Sequence, residues 1–131
     1  MTELEHRTTI APWLSVRDGG GALEFYKNAL GGTEAYRLED ADGHVLVAQL
    51  AIDGAPFWVQ EDAASVTPAG GIRSVRMVVT VRDPDVLFQR ALAAGASEMA
   101  AMHEEHGWRS GRVTDPFGHD WEFSRAMATT E

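Results

Sequence analysis

The sequence predicts an α+β fold in which two βαβββ modules follow one another within a single domain, residues 1–131. Two segments have the same plan: TTIAPWLSVRDGGGALEFYKNALGG and GIRSVRMVVTVRDPDVLFQRALAAGA each contain an apolar strand, the triplet V-R-D and an amphipathic helix that stops at glycine. Val16 and Val81 stand 65 residues apart, and the turn glycines Gly54 and Gly118 stand 64 apart. With 44% hydrophobic and 24% charged residues, the chain has enough apolar side chains for one folded core.

The first module, about residues 8–60, begins with a strand and a helix. Residues 8–16 alternate in polarity, which places Trp13 and Ser15 on the strand face opposite its apolar positions. A helix is expected from about Gly21 to Leu30, because apolar residues recur there at helical spacing. Gly31 is its expected stop, since glycine tolerates the left-handed conformation that ends helices.

Two hairpins complete the first module. The pairs Asp42-Gly43 and Asp53-Gly54 are strong turn signals between runs of strand-forming residues. They separate three predicted strands, at about 33–39, 44–52 and 55–60.

The second module, about residues 73–125, repeats this order after a linker at 61–72 that is rich in Ala, Ser, Thr, Pro and Gly. Its first strand is expected at 73–81. Asp83 is a suitable N-cap and Pro84 a suitable first helical residue, so the second helix should run from there to Ala94. Three further strands are expected at about 97–102, 109–114 and 119–124.

Composition excludes several classes of protein. The absence of cysteine removes disulfides, thiolate metal sites and catalytic thiols. No apolar run reaches the length of a membrane span, and the first residues lack a signal-peptide core, so a soluble, cytoplasmic protein is expected. The formal net charge of −9 disfavours nucleic acid and favours a neutral or cationic ligand, although a local pocket can oppose the net charge.

Two stretches carry a resemblance to a known family. LSVRDGGGALEFYKNALGG near the start and GRVTDPFGHDWEF near the end resemble the vicinal oxygen chelate superfamily, which includes glyoxalases, bleomycin-resistance proteins and ring-cleaving dioxygenases. The second stretch is close to the PhnB-like, glyoxalase-like branch, and the likeness covers roughly residues 8–125. The resemblance implies paired βαβββ modules that form a cupped, barrel-like mixed sheet around a ligand cavity. The same fold serves lyases, isomerases, dioxygenases and pure binding proteins.

The resemblance also implies four positions for a divalent metal, two on the first strand of each module and two on the last. In this sequence they correspond to Ala11, Arg76, Trp58 and Glu122. Only Glu122 has a side chain that binds a divalent cation, and the arginine brings an opposing positive charge. We therefore expect no metal and no other cofactor.

Residues at and beside these positions are the candidate ligand contacts. Trp13 and Trp58 should face the cavity, where flat rings would stack on a planar or cationic group, although both could instead pack the core. Arg76 and Glu122 should form an ion pair across the cup, or else present a donor and an acceptor to a polar ligand. Trp121 should face the other way, against a helix.

Other chemically interesting residues lie near the seventh strand. Trp108 and Arg109 complete the candidate ligand-binding set, and Arg112 is a weaker candidate near the mouth of the cavity. The sequence H-E-E-H at 103–106 is expected in a loop, either a solvated one or a flap over the cavity. His119 follows the turn glycine and is expected to make a local hydrogen bond that stabilises the turn.

Three functions remain open at this point. The first is a metal-independent protein, similar to bleomycin-resistance proteins, that sequesters an aromatic or cationic antibiotic or metabolite in a tryptophan-lined cleft. The second is a metal-dependent lyase, isomerase or dioxygenase of the same superfamily. The third is a metal-free enzyme that uses Glu122 as a general base. A homodimer is expected, because each module leaves a sheet edge and a sheet face uncovered.

Overall fold

The computed structural model describes residues 8–65 and 75–128 and contains two helices and eight strands. The first module comprises β1 Trp13–Val16, α1 Gly19–Asn28, β2 Thr33–Glu39, β3 Val45–Ile52 and β4 Ala55–Glu61. The second comprises β5 Arg76–Thr80, α2 Pro84–Ala93, β6 Ser97–Glu105, β7 Trp108–Thr114 and β8 Asp120–Ala126. The predicted α+β class and the two βαβββ modules are confirmed. Residues 66–74, which include most of the predicted linker and the start of the predicted strand 73–81, lie outside the described part.

Each module forms its own four-stranded mixed sheet. Sheet A has the order β1-β4-β3-β2 and sheet B has the order β5-β8-β7-β6. In both sheets the first strand runs parallel to the last strand of its module, and the other neighbours are antiparallel. The two sheets remain separate, so a single chain does not close the barrel that the resemblance implied.

The helix boundaries follow from local capping. Helix α1 begins two residues before the expected Gly21, because the side chain of Asp18 caps its first turn by accepting a hydrogen bond from the Gly21 amide at 2.9 Å. Gly31 has φ of 73°, the left-handed conformation expected after the helix. Asp83 occupies the N-cap position of α2 as predicted, but its side chain makes no capping hydrogen bond.

Two strands differ from the predicted ranges. Strand β1 begins at Trp13 instead of residue 8, since Pro12 has no amide hydrogen for a ladder. The carbonyl of Pro12 still accepts a hydrogen bond from the Trp58 amide at 2.8 Å. Strand β6 extends to Glu105 because two register shifts let it stay paired with β7 beyond residue 102.

The core lies between the sheets and contains both helices. Tyr26 of α1 packs against Phe57 of sheet A and Trp121 of sheet B, with ring centroids 5.4 and 5.5 Å away. Phe57 and Trp121 also contact each other, at 5.6 Å. The predicted orientation of Trp121 towards a helix is therefore confirmed, and one aromatic cluster joins the two modules.

A buried carboxylate satisfies the polar atoms of this cluster. Asp115 is 3% exposed, and its Oδ2 accepts hydrogen bonds from the Tyr26 hydroxyl at 2.6 Å and from Trp121 Nε1 at 2.8 Å. Its Oδ1 accepts the backbone amides of Phe117 and His119, at 2.8 and 2.9 Å. Burial, reinforced by the neighbouring Asp115, raises the pKa of Tyr26 well above its ordinary value.

Neither α1 nor α2 is long and apolar enough to cross a membrane, and the described residues contain no other α-helix.

Candidate functional site

Each sheet has one face packed on the shared core and a second face that no helix covers. On sheet A, strand alternation turns Leu14, Val16 and Phe57 to the core, where they are buried. The residues between them belong to the second face, which we call the aromatic face: Trp13, Ser15, Tyr36, Val47, Gln49, Trp58 and Gln60.

Three aromatic rings on this face form a continuous surface. Trp13 and Trp58 are partners across the parallel pair β1–β4, and their rings stack with centroids 5.8 Å apart and planes at 27°. Tyr36 meets Trp58 edge-on at 6.2 Å. Trp13 is 51% exposed and Tyr36 is 47% exposed, so the cluster is open to solvent. The prediction that both tryptophans turn away from the core face of their strands is thus confirmed by the register.

Gln60 holds the outer tryptophan in place. Trp13 Nε1 donates to Gln60 Oε1 at 2.9 Å, and the Ser15 hydroxyl donates to the same oxygen at 3.3 Å. The two donors fix the amide orientation and keep the indole flat on its neighbour. Sequence reasoning missed Tyr36 and Gln60 as members of the face. The alternation of the predicted strands 33–39 and 55–60 contained the signal for both.

The corresponding face of sheet B is polar. Met77, Val113, Trp121 and Phe123 point into the core. The residues that alternate with them form what we call the polar face: Arg76, Val78, Thr80, Ser110, Arg112, Thr114, Asp120, Glu122 and Ser124. Its hydroxyl groups join neighbouring strands, since Thr114 donates to Asp120 at 2.8 Å and Thr80 shares a hydrogen bond with Ser124 at 3.2 Å.

The predicted ion pair lies on this face. Arg76 Nε is 3.1 Å from Glu122 Oε1, and the Glu122 side chain is 18% exposed. The two residues stand on the adjacent strands β5 and β8, so the pair joins neighbouring strands instead of spanning the cup. The carboxylate of Glu122 is therefore already engaged by a cation, which weakens the hypothesis that it acts as a general base.

Arg109 lies on the opposite side of sheet B from the polar face. It donates to Asp85 of α2 through Nε at 2.8 Å and through Nη2 at 2.5 Å, and its Nη1 lies 3.5 Å from Glu104. The hydrogen bonds from Arg109 lower the pKa of Asp85. The expected position of Arg109 near the cavity mouth is thus wrong, because strand alternation directs it towards the helix.

Trp108 begins β7 at the hairpin that follows β6. It is 46% exposed and pairs in register with Glu105 and Ala126. The structure places it on sheet B, whereas the stacked tryptophans lie on sheet A. Its assignment as a ligand contact stays a prediction.

The H-E-E-H segment is a strand end and not a loop. Residues 103–105 belong to β6, and only His106 and Gly107, both with positive φ, form the tight turn to β7. His103 and His106 each lie near Glu105, at 3.6 and 3.4 Å. A flap of residues 103–110 is therefore excluded, because the segment is fixed by β-pairing.

His119 stabilises the turn through its backbone and joins the modules through its ring. Its amide donates to Asp115, and its carbonyl accepts from the Asp115 amide at 2.8 Å. Its Nε2 lies 2.9 Å from the carbonyl oxygen of Ser15, 104 residues away. The expected local hydrogen bond is present in the backbone, whereas the side chain makes a long-range contact with β1.

The four metal positions implied by the resemblance do not supply a ligand set. Ala11 lies before β1, Trp58 belongs to the indole stack, and Arg76 occupies Glu122. Within residues 8–65 and 75–128, no group of three or more His, Cys, Asp or Glu side chains gathers in a way that could hold a metal ion. The donor chemistry therefore does not fit the divalent metal of the metal-dependent members.

The two uncovered faces turn away from the shared core in opposite senses. Phe57 and Trp121, which touch at 5.6 Å, project from the core sides of sheets A and B. The aromatic face and the polar face therefore lie on the far sides of their sheets. The free edges of β1 and β5 are close to a groove of about 520 Å³, lined mainly by residues 10–12 and 75–80 together with parts of β4.

Comparisons with known proteins agree with this architecture. The family model described as a glyoxalase-like domain matches residues 13–124. The uncharacterized protein Mb0911c of Mycobacterium bovis is 36% identical over 126 residues, covering 90% of this chain and 83% of that protein. The protein At5g48480 of Arabidopsis thaliana is 31% identical, covering 80% and 70% of the two chains.

Solved structures with the same fold include two from bacteria. TioX from Micromonospora sp. ML1 superposes with a TM-score of 0.73 at 28% identity, covering 92% of this chain and all of that chain. FosX from Listeria monocytogenes, a fosfomycin resistance protein, superposes with a TM-score of 0.71, covering 94% and 96% of the two chains. Its 17% identity supports the fold alone. On the match of residues 13–124 and on this architecture, the chain belongs to the glyoxalase-like domain family of the vicinal oxygen chelate superfamily.

Proposed function

We propose that the protein binds a small molecule without a metal ion and stacks a planar aromatic or cationic group of that ligand on the aromatic face. An antibiotic or a related metabolite has the required chemistry. The observation that carries the proposal is the exposed stack of Trp13 on Trp58, extended by Tyr36. Indole rings attract both flat rings and cations through their π faces.

The position of the stack supports binding over metal catalysis. Trp58 stands where the resemblance implies a metal ligand, so an apolar ring fills the place of a carboxylate or imidazole. Gln60 keeps Trp13 parallel to it through a 2.9 Å hydrogen bond. A preformed flat surface costs little ordering on binding, which favours affinity without bond-making chemistry.

We further propose that the working form is a homodimer. Within one chain the aromatic and polar faces look away from each other, and β1 and β5 have free edges. A second copy could bring its polar face opposite the aromatic face of the first and pair the open edges. Light scattering at micromolar concentration should give twice the chain mass of 14.3 kDa. A mass of one chain would contradict the dimer but not the indole stack.

Binding is tested with a planar cation, proflavine, followed by quenching of tryptophan fluorescence. Trp58→Ala should weaken proflavine binding by about 1–3 kcal/mol, because it removes the ring at the centre of the cluster. Trp108→Ala is the matched control, since it removes an equally accessible indole from sheet B. Equal losses in the two variants, or none in either, would reject the aromatic face as the site.

Metal independence is tested on the same preparations. The purified protein should contain less than stoichiometric metal, and added Zn²⁺, Ni²⁺ or Mn²⁺ should leave its melting temperature unchanged. A ligand that binds the folded state raises its stability by mass action, so tight metal binding would show as a rise. One equivalent of copurified metal that Glu122→Ala releases would instead favour the metal-dependent lyase, isomerase or dioxygenase.

A further inference from the structure

Arg112 is an arginine in the middle of the polar face whose charge no described residue neutralises. It lies on β7, between Ala100 of β6 and Glu122 of β8 in the strand register. Its Nε is buried from solvent and has no hydrogen-bond partner, and the guanidinium makes no ion pair with any residue that the structure describes. An unsatisfied buried donor on a charged group is costly, so such a group calls for an explanation.

The nearby carboxylates are engaged elsewhere. Glu122, directly across from Arg112, gives its Oε1 to Arg76 at 3.1 Å. Asp120 is 8% exposed and accepts the Thr114 hydroxyl at 2.8 Å. On the other side of the same strand, Arg109 has two acidic partners. The unpaired charge of Arg112 is thus a property of this place on the face and not a general feature of the arginines in an acidic chain.

The surroundings of Arg112 suit a small planar acid. Its neighbours along β7 on the same face are Ser110 and Thr114, and its cross-strand neighbour on β6 is Ala100. These side chains are small, and two of them have hydroxyl groups that can donate to an oxygen atom. A guanidinium matches a carboxylate with two parallel hydrogen bonds.

We infer that Arg112 binds a carboxylate group of the ligand, so that the ligand class is a planar aromatic molecule that also carries an acid. This inference rests on the proposed function, because it assigns the second chemical group of the same ligand. It narrows the expectation drawn from the net charge of −9, since the polar face offers an unpaired cation where the overall surface is acidic.

The first test compares two probes that differ only in charge. The carboxylate 2-naphthoate should bind roughly tenfold tighter than the amide 2-naphthamide, as expected for a charge-assisted hydrogen bond. Arg112→Gln should remove this preference and leave the affinity for the amide unchanged. Arg125→Gln is the control, since Arg125 stands on the neighbouring strand β8 and donates to the carbonyl oxygen of Arg82 at 3.3 Å. Equal affinity for acid and amide would overturn the inference and leave the proposed function intact.

The second test does not depend on the aromatic stack. Titration with acetate should shift the ¹⁵N NMR signal of the Arg112 Nε–H group, and the signal of Arg125 should stay in place. If acetate moves the Arg112 signal while both naphthyl probes fail to bind, the carboxylate site stands and the proposed function falls. If acetate leaves the signal unchanged, the partner of Nε is an ordered water and the inference is wrong.

Discussion

The buried carboxylate between the modules should be one of the largest single contributors to stability. Tyr26→Phe removes one hydrogen bond to a charged acceptor, while Trp121 and two backbone amides still satisfy Asp115. Such a bond contributes about 1.5–3 kcal/mol. Asp115→Ala leaves the buried phenol and the indole N–H without an acceptor, so its cost should be about 3–5 kcal/mol.

A double-mutant cycle in urea isolates the link between the two modules. With Asp115 replaced by Ala, Tyr26→Phe should cost almost nothing more, which corresponds to a coupling energy of about 1.5–3 kcal/mol. Tyr36→Phe is the matched control, since Tyr36 is 47% exposed and should change the free energy of unfolding by less than about 0.5 kcal/mol. A coupling energy within about 0.5 kcal/mol of zero would show that the phenol and the carboxylate act independently, and the reasoning would fail.

Two further predictions concern the alkaline range and helix capping. Burial raises the pKa of Tyr26 above the value of about 10 for an unfolded tyrosine, so the folded state retains a proton that the unfolded state loses. This contribution to stability is complete below about pH 10 and falls as the pH rises further, so unfolding curves of the wild type and Tyr26→Phe should converge between pH 9 and 11; parallel curves would contradict it. Asp18→Ala should destabilise the protein by about 1 kcal/mol in thermal unfolding, because Asp18 caps α1 through the Gly21 amide, whereas Asp83→Ala should cost less because Asp83 makes no capping bond; equal losses would remove the capping explanation.

The fold could be predicted because its signals are local and appear twice. Glycines after each helix and the Asp-Gly pairs between strands depend on backbone conformations that few other residues adopt, and Gly31, Gly43 and Gly54 all have positive φ as required. Strand alternation then correctly placed Trp13 with Trp58 on one face and Trp121 on the other. These inferences use only the two-residue period of a strand.

The errors arise where a contact joins distant parts of the chain or where a strand departs from the regular period. The two register shifts in β6 extend pairing through His103, which a regular strand pattern does not reveal. Arg109 turns to α2 because its partner Asp85 lies there, 24 residues earlier in the sequence. The bond from the His119 ring to the Ser15 carbonyl joins residues 104 apart. None of these contacts leaves a pattern within a short stretch of sequence.

The hydrogen bond between Tyr26 and Asp115 makes the two halves of this duplicated fold non-interchangeable. With the repeat offset of 64, the position equivalent to Asp115 in the first module is Ala51, and the position equivalent to Tyr26 in the second is Arg90. A designed chain with two copies of the first module would bury two phenols and no carboxylate, whereas two copies of the second would have carboxylates without phenols. A symmetric redesign must therefore introduce the pair in both halves, or replace both partners with apolar residues of similar shape.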